Sequence, residues 1–235
     1  MNTRIGRIRE NEKRSHTKVY TDEVLYNTDS WLKKPIKTVQ ELMPLLSDYD
    51  CLRVLDLGCG IGRNSIYIAE NYRNKCCMVD CVDILDIAIE KLKSNARTHG
   101  VGKRINGILG TIEHYGIHKN TYDLVLAVSA LEHVESENSF IYKLQEIKDG
   151  IKSKGIVCLV INSEIREVNR DTYEELDPQF EVNLPTEVVK SYIDNVFAGW
   201  NILKKTVSFQ EYDIPRDSIT SHLTTNVITF VGQSL

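Results

Sequence analysis

Short apolar runs alternate with helix-like segments through the middle of the chain. The runs cover residues 53–58, 76–82, 105–109, 122–128 and 155–161. Few polar positions interrupt them, so they predict buried strands, whereas the segments between them repeat apolar residues at helical spacing. Strands that are apolar on both faces are typical of a parallel sheet with helices on both sides.

The two ends of the chain have other patterns. Residues 30–47 predict a helix that Pro44 disturbs, and the polar stretch 163–185 predicts a lid-like insertion. Residues 201–213 and 223–232 alternate apolar and polar positions, which predicts two antiparallel strands. We therefore expect an α/β, doubly wound, Rossmann-like sheet of seven mostly parallel strands. It would carry an antiparallel C-terminal pair and form three α/β/α layers.

We expect two structural parts. Residues 1–50 would form a helical segment that covers the site of the main domain, residues 51–235. The first eighteen residues hold a basic cluster that three carboxylates nearby dilute, and we interpret it as a solvated or frayed terminus. Its basic residues are Arg4, Arg7, Arg9, Lys13, Arg14 and Lys18.

Composition narrows the functional classes. The chain has 235 residues, of which 42% are hydrophobic and 26% charged, which suits one ordinary globular domain. A net charge of −4 without a long basic run argues against nucleic-acid binding. No apolar run is long enough to span a bilayer, and the start lacks the apolar stretch of a secretory signal. We therefore expect a cytoplasmic protein that does not bind membranes.

The cysteines do not predict a metal site or a disulfide framework. No Cys/His set has zinc spacing, and a chain of this length can stabilise itself through its core. We interpret the three between residues 76 and 81 as small hydrophobic residues in or beside a buried strand. The six are Cys51, Cys59, Cys76, Cys77, Cys81 and Cys158.

The most informative stretch is a glycine-rich turn after the first predicted strand. Gly58, Gly60 and Gly62 follow Leu55-Asp56-Leu57 and precede a helix. Glycines let the backbone turn sharply and let a ligand lie against it. The third glycine follows the second by two residues, so the dinucleotide-binding fingerprint is not met, and no Gly-Lys-Ser/Thr ending indicates a phosphate loop.

At these residues the chain resembles the class I S-adenosylmethionine-dependent methyltransferases, and the resemblance extends over about residues 51–162. Cys81-Val82-Asp83-Ile84 is similar to the end of that family's second strand. Tyr122 to Leu126, followed by Leu131-Glu132-His133-Val134, is similar to its fourth strand and the next loop. The resemblance implies S-adenosylmethionine as cofactor, S-adenosylhomocysteine as product, and methyl transfer by in-line displacement.

The resemblance also implies a set of cofactor contacts. Asp83 would accept hydrogen bonds from the ribose, although Asp80 is an alternative and Asp83 could instead cap the next helix. Thr111 stands where many members have an acidic residue near the adenine. The implied contacts are Asp56, Gly58, Cys59, Gly60, Asn64, Asp83, Ile84, Thr111, Ile112, Ser129 and Ala130.

The acceptor is harder to predict. His133 is a candidate general base, since its unperturbed pKa lies near 6.5, although Glu-His also occurs here in members with unrelated substrates. Candidate substrate contacts are Tyr20, Tyr26, Trp31 and Arg166. A looser resemblance to small bacterial tellurite- and thiopurine-type methyltransferases favours a small acceptor.

Other functions stay open at this stage. The same fold could methylate RNA or protein, or it could bind the cofactor without catalysis. A nucleotide-binding oxidoreductase is disfavoured by the glycine spacing. The sequence leaves the oligomeric state undetermined.

Overall fold

The computed structural model describes residues 3–28, 30, 32–216 and 219–235. One mixed sheet runs through the molecule, in the order β3-β2-β1-β4-β5-β8-β7, and the short β6 pairs with β5. The strands are β1 (Cys51–Leu57), β2 (Cys76–Asp83), β3 (Ile105–Leu109), β4 (Tyr122–Val128), β5 (Ile151–Asn169), β6 (Glu175–Leu176), β7 (Asn201–Arg216) and β8 (Ile219–Gln233).

Strands β1 to β5 are parallel, and β8 and β7 add antiparallel partners at one side. This confirms the predicted doubly wound fold with its antiparallel C-terminal pair; β6 is an addition of two residues. The helices are α1 (Arg4–Asp22), α2 (Lys37–Leu46), α3 (Arg63–Asn71), α4 (Asp86–Thr98), α5 (Glu137–Gly150) and α6 (Thr186–Val196).

The core lies on both faces of the central strands. Leu124 and Leu126 of β4 belong to one hydrophobic cluster, while Val125 and Ala127 belong to the other. Side chains alternate between faces along a strand, so a strand covered on both sides is apolar at nearly every position, and the one charged residue of β4, Asp123, pairs with Lys152. The continuous apolar pattern of β4 therefore follows from its central place in the sheet.

The N-terminal segment differs from the expectation of a frayed terminus. Residues 4–22 form helix α1, whose Thr3 cap accepts a hydrogen bond from the Gly6 amide. Ile8 and Tyr20 are buried on its inner side. The expectation of a frayed terminus was wrong because α1 is a capped helix with an apolar face, whereas the basic residues other than Arg9 are exposed as expected. The predicted helix 30–47 is shorter, with Pro44 inside α2.

Two further predictions need correction. Residues 163–169 are not part of an irregular insertion, because β5 continues through them and pairs with β8 as far as Asn169. Cys76 is exposed rather than buried, whereas Cys77 and Cys81 are buried as expected. Cys76 is the first residue of β2, where the sheet is not covered. No helix in the described ranges has the length and hydropathy needed to cross a membrane.

Candidate functional site

The glycine-rich turn connects the carboxyl ends of three strands. The amides of Gly58 and Cys59 donate to the carbonyl of Val82 at the end of β2, at 2.8 and 3.1 Å. Gly58 has a φ of +71°, and a Cβ added there would lie 2.5 Å from the Cβ of Ala130. Only glycine fits both the left-handed backbone and the contact with the loop after β4.

Two buried aspartates of β2 have different partners. Asp83 accepts hydrogen bonds from the amides of Gly60 and Leu85, at 2.8 and 2.9 Å. Asp80 contacts side chains instead: it accepts from Arg53 at 2.5 Å, Asn106 at 2.8 Å and Tyr122 at 3.1 Å. Asp83 therefore lies at the glycine turn, while Asp80 belongs to a polar cluster within the sheet.

Asp83 keeps acceptor capacity for a ligand. Its carboxylate has about four lone-pair positions and uses two of them on backbone amides. Burial raises the pKa of Asp83, and the two amide hydrogen bonds oppose that effect. A largely buried carboxylate at the end of a strand is suited to accept hydrogen bonds from a diol such as ribose.

The residues behind the turn support it. Asp56 accepts a hydrogen bond from the Ser65 hydroxyl, and burial raises the pKa of Asp56 to about 7. Asn64 accepts from the amide of Ile36, which ties α3 to the segment before α2. Cys59 is buried against Cys81, and burial raises the pKa of its thiol well above the usual value. These three side chains have partners within the protein.

The loop after β3 forms another wall of the site. Ile112 is buried and within reach of the Gly58 position, whereas Ile84, after β2, is exposed. The Thr111 hydroxyl is 2.8 Å from Nδ1 of His114. Glu113 is paired with Arg9 of α1 at 2.5 Å. The carboxylate of this loop therefore holds α1.

His133 lies between two carboxylates. Its Nδ1 is 3.0 Å from Oε2 of Glu181 and 3.4 Å from Oε2 of Glu12. Burial lowers the pKa of His133, but the Glu181 hydrogen bond and the charges of Glu12, Glu132 and Glu181 outweigh it and raise the pKa to about 9. At neutral pH the imidazole is therefore protonated and ion-paired.

The same three side chains offer ligand atoms within 4.8 Å of one another, a spacing that can hold a metal ion. Metal binding needs a neutral imidazole. The raised pKa of His133 makes an ion-paired imidazolium the favoured form. Among the described contacts, the nearest cationic partner of Glu12 is Nδ1 of His133, which Glu12 shares with Glu181. Burial raises the pKa of Glu12.

Helix α1 lies across the carboxyl end of the sheet. Arg9 contacts Glu113 at 2.5 Å and Glu181 at 3.2 Å, and Arg4 contacts Asp177 at 2.8 Å. A cavity of about 290 Å³ is left beneath the helix. Its lining residues are Arg9, Glu10, Glu12, Lys13, Ile84, Leu85, His133 and Glu181.

The predicted substrate residues are dispersed. The Tyr20 hydroxyl packs on Gly60, within 3.0 Å of where a Cβ would be. Tyr26 donates to the carbonyl of Arg63 at 2.6 Å, and Arg166 forms an exposed pair with Glu175 at 2.8 Å. Of these, Tyr20 lies at the glycine turn, Tyr26 supports α3, and Arg166 is outside the cavity lining. Trp31 lies outside the described residues.

Sequence reasoning did not find Arg9, Glu12 and Glu181 as site residues. Arg9 and Glu181 are 172 positions apart, and both are ordinary charged residues in polar surroundings. The available signal was the acidic character of residues 163–185 opposite a basic N-terminus. That complementarity indicates an association of the two segments, but not which side chains meet.

Comparison with known proteins finds similarity over the central part of the chain. Residues 54–155 match a family model described as a methyltransferase domain. A ubiquinone biosynthesis O-methyltransferase from Rickettsia canadensis is 31% identical over 121 residues, which are 52% of this chain and 47% of that protein. The chain therefore spans about half the length of this curated relative.

Solved structures agree on the fold. The YcgJ protein from Bacillus subtilis superposes with a TM-score of 0.58 at 15% identity, covering 84% of this chain and 97% of that one. TehB from Haemophilus influenzae gives a TM-score of 0.60 at 18% identity, covering 83% of this chain and 62% of that one. At such identities the likeness shows the fold alone. The match to a methyltransferase domain points to S-adenosylmethionine as the cofactor.

The residues present fit that cofactor. Gly58 and Gly60 keep partly exposed backbone at the turn, and Asp83 has free acceptor positions next to it. Asp83, Gly60 and Ile112 would hold the adenosine part, while Ser129 and Ala130 would lie along the methionine part. Ser129 has a φ of +50° and donates its amide to Val160 at 2.8 Å, so this loop is fixed by β5.

Proposed function

We propose that this chain, a class I S-adenosylmethionine-dependent methyltransferase by its domain match and fold, transfers a methyl group to a small-molecule acceptor. The bound cofactor supplies a methyl group on a sulfonium, which a nucleophile can displace in line. The observation that carries the proposal is the partly open cavity of about 290 Å³ beneath α1, at the carboxyl end of the strands.

The size of the cavity favours a small acceptor. Clefts for small ligands commonly enclose about 300–1,000 Å³. Helix α1 closes this one through Arg4 with Asp177, Arg9 with Glu181, and Asn11 with Gln179 at 2.9 Å. An RNA or protein acceptor would have to displace α1. The net charge of −4 and the carboxylates around the cavity also disfavour RNA.

The protein's part in the reaction is chiefly positioning. In-line displacement needs the nucleophile, methyl carbon and leaving group in line, and holding them there can supply much of the rate. We propose that the imidazolium of His133 keeps Glu12 and Glu181 in place around the acceptor. Acting as a base instead, as the sequence suggested, would require His133 to lose its proton, which its raised pKa opposes at neutral pH.

The Rickettsia relative also supports a small-molecule acceptor, since it is named as an O-methyltransferase of ubiquinone biosynthesis. We further propose that the protein acts in the cytoplasm. The test therefore surveys acceptors of all three classes without a chosen substrate.

The test is a transfer assay with methyl-labelled S-adenosylmethionine and the full chain. A cell extract is separated into small-molecule, RNA and protein fractions, and each is incubated with enzyme. Label in the small-molecule fraction is expected. Label in RNA or protein would overturn the acceptor class. Absence of binding of both S-adenosylmethionine and S-adenosylhomocysteine to folded protein, measured by isothermal titration, would overturn the methyltransferase function itself.

A further inference from the structure

A pair of cysteines lies at the opposite end of the sheet, where β1 and β2 begin. Cys51 and Cys76 are the first residues of β1 and β2, and they are directly paired in the parallel register. Adjacent strands lie about 4.8 Å apart, within the range of about 4.4–6.8 Å over which disulfides join Cα atoms. Paired residues of neighbouring strands also point to the same face. The two thiols can therefore meet without moving the sheet.

The pair differs from the other cysteines in access. All six are free thiols, and Cys51 and Cys76 are the exposed ones. The neighbouring Cys76 side chain raises the pKa of the Cys51 thiol. Reagents in solution can reach this pair, whereas Cys59, Cys77, Cys81 and Cys158 are buried.

Cys76 also lines a large basic groove. The groove encloses about 1,000 Å³ between the amino end of β2, helix α4 and the turn before β3. Every charged residue that lines it within the described ranges is basic. These residues are Lys75, Lys93, Arg97, Lys103 and Arg104. In a chain of net charge −4, this is a concentrated positive region.

Part of that charge is fixed in position. Lys75 donates to the carbonyls of Ser47 and Tyr49, at 2.7 and 3.3 Å, and Arg104 donates to two carbonyls at 2.6 Å each. Carbonyl partners orient these side chains without neutralising them. The groove therefore presents a positive potential toward anions, which raises their local concentration and association rate.

We propose that Cys76 is a modification site for anionic low-molecular-weight disulfides, such as oxidised glutathione, and that Cys51 is its resolving cysteine. The basic groove binds the carboxylates of the disulfide beside the Cys76 sulfur. This site is separate from the methyl-transfer site, so the outcome of its test does not depend on the proposed function.

The chemistry balances without another oxidant. The Cys76 thiol loses its proton, and its sulfur attacks one sulfur of the disulfide. The S–S bond of the disulfide breaks, a mixed disulfide forms at Cys76, and the first small thiol leaves with a proton. The Cys51 thiol then attacks the Cys76 sulfur and releases the second small thiol. Two protein thiols are oxidised to one disulfide, and the small disulfide is reduced to two thiols.

The test compares two disulfides of opposite charge, oxidised glutathione and cystamine, on the reduced full-length chain. Intact mass and peptide mapping follow the products over time. Oxidised glutathione is expected to react at Cys76 about tenfold faster than cystamine at low ionic strength, with the advantage shrinking as salt is added. The wild-type product is a Cys51–Cys76 disulfide. In Cys51→Ser, one glutathionyl group should accumulate on Cys76.

Charge variants complete the test. Lys103→Glu combined with Arg97→Glu should abolish the preference for the anionic disulfide. Lys34→Glu together with Lys33→Glu makes the same change in net charge outside the groove lining, and should leave the preference intact. Equal rates for the two disulfides in the wild type would overturn the anion site. A wild type that stops at the mixed disulfide would overturn the resolving role of Cys51.

Discussion

The two ends of β1 and β2 have opposite characters. At their carboxyl ends, Asp56 and Asp83 are buried, hydrogen-bonded and covered by α1. At their amino ends, Cys51 and Cys76 are exposed beside a groove of basic residues without a carboxylate in its described lining. The same strands thus support a closed site at one end and an open one at the other.

The two ends also differ in the kind of contact that holds them together. At the carboxyl end, charges of α1 meet charges of the 113 and 181 regions, so distant segments close over the site. At the amino end, Lys75 and Arg104 bind backbone carbonyls that lie 28 and 29 positions away along the chain. A closed site needs contacts between several segments of the chain. Four comparisons test this difference between the two ends.

The largest effect should come from glycines of similar φ at the two ends. Gly58→Ala places a Cβ 2.5 Å from that of Ala130, whereas Gly100, with a φ of +70°, has nothing within 4 Å. We expect Gly58→Ala to lower the free energy of unfolding by about 3 kcal/mol and to abolish S-adenosylmethionine binding. Gly100→Ala should cost about 1 kcal/mol and leave binding intact. Urea denaturation and isothermal titration measure both, and unimpaired binding by Gly58→Ala would contradict the assigned turn.

The next effect concerns the closure by α1. Arg9→Ala removes the cation that pairs with Glu113, which is only 5% exposed, and leaves Glu181, 1% exposed, with His133 alone. We expect it to destabilise the docking of α1 by about 2–3 kcal/mol, seen as faster amide hydrogen exchange in residues 4–22. Arg4→Ala removes an exposed pair with Asp177 and should cost less than about 1 kcal/mol. Equal exchange in the two variants would show that α1 is not held by the Arg9 contacts.

A third comparison uses pH within the carboxyl end. The pKa of His133 is raised from 6.5 to about 9, so its ion pairing stabilises the fold fully below about pH 6.5 and is lost as the pH rises through 9. His133→Gln should therefore be less stable than wild type by about 2 kcal/mol at pH 6. The difference should approach zero near pH 10. A difference independent of pH in urea titrations would contradict the ion-paired imidazolium.

The smallest effect separates two aspartates of one strand. Asp83→Asn should weaken S-adenosylmethionine binding about tenfold, or about 1.4 kcal/mol, because a ribose hydrogen-bond acceptor is lost. Asp80→Asn should leave that affinity unchanged and lower stability instead, since Asp80 pairs with Arg53. Isothermal titration of both variants decides between them. A loss of affinity confined to Asp80→Asn would move the ribose contact to the other carboxylate.

Much of the fold could be predicted because its signals are local. The apolar run of Tyr122–Val128 predicts β4 with its observed bounds, since a strand buried on both faces has no polar alternation to blur it. The turn at Gly58, Gly60 and Gly62 was equally readable, because left-handed backbone favours glycine. The end of β5 was less predictable. Beyond the core, the strand continues because it pairs with β8, and this pairing leaves no apolar pattern in the sequence.

The sequence by itself determined the doubly wound sheet and the glycine turn, because periodicity and turn chemistry act between neighbours in the chain, and the kind of cofactor came from the family resemblance of its motifs. The tertiary structure decided the partners of Arg9, the protonation of His133, and the exposure of Cys76 beside a buried Cys77. These depend on which surfaces pack together. A charge or a thiol takes its properties from groups that lie near it in space, and those groups come from distant parts of the chain.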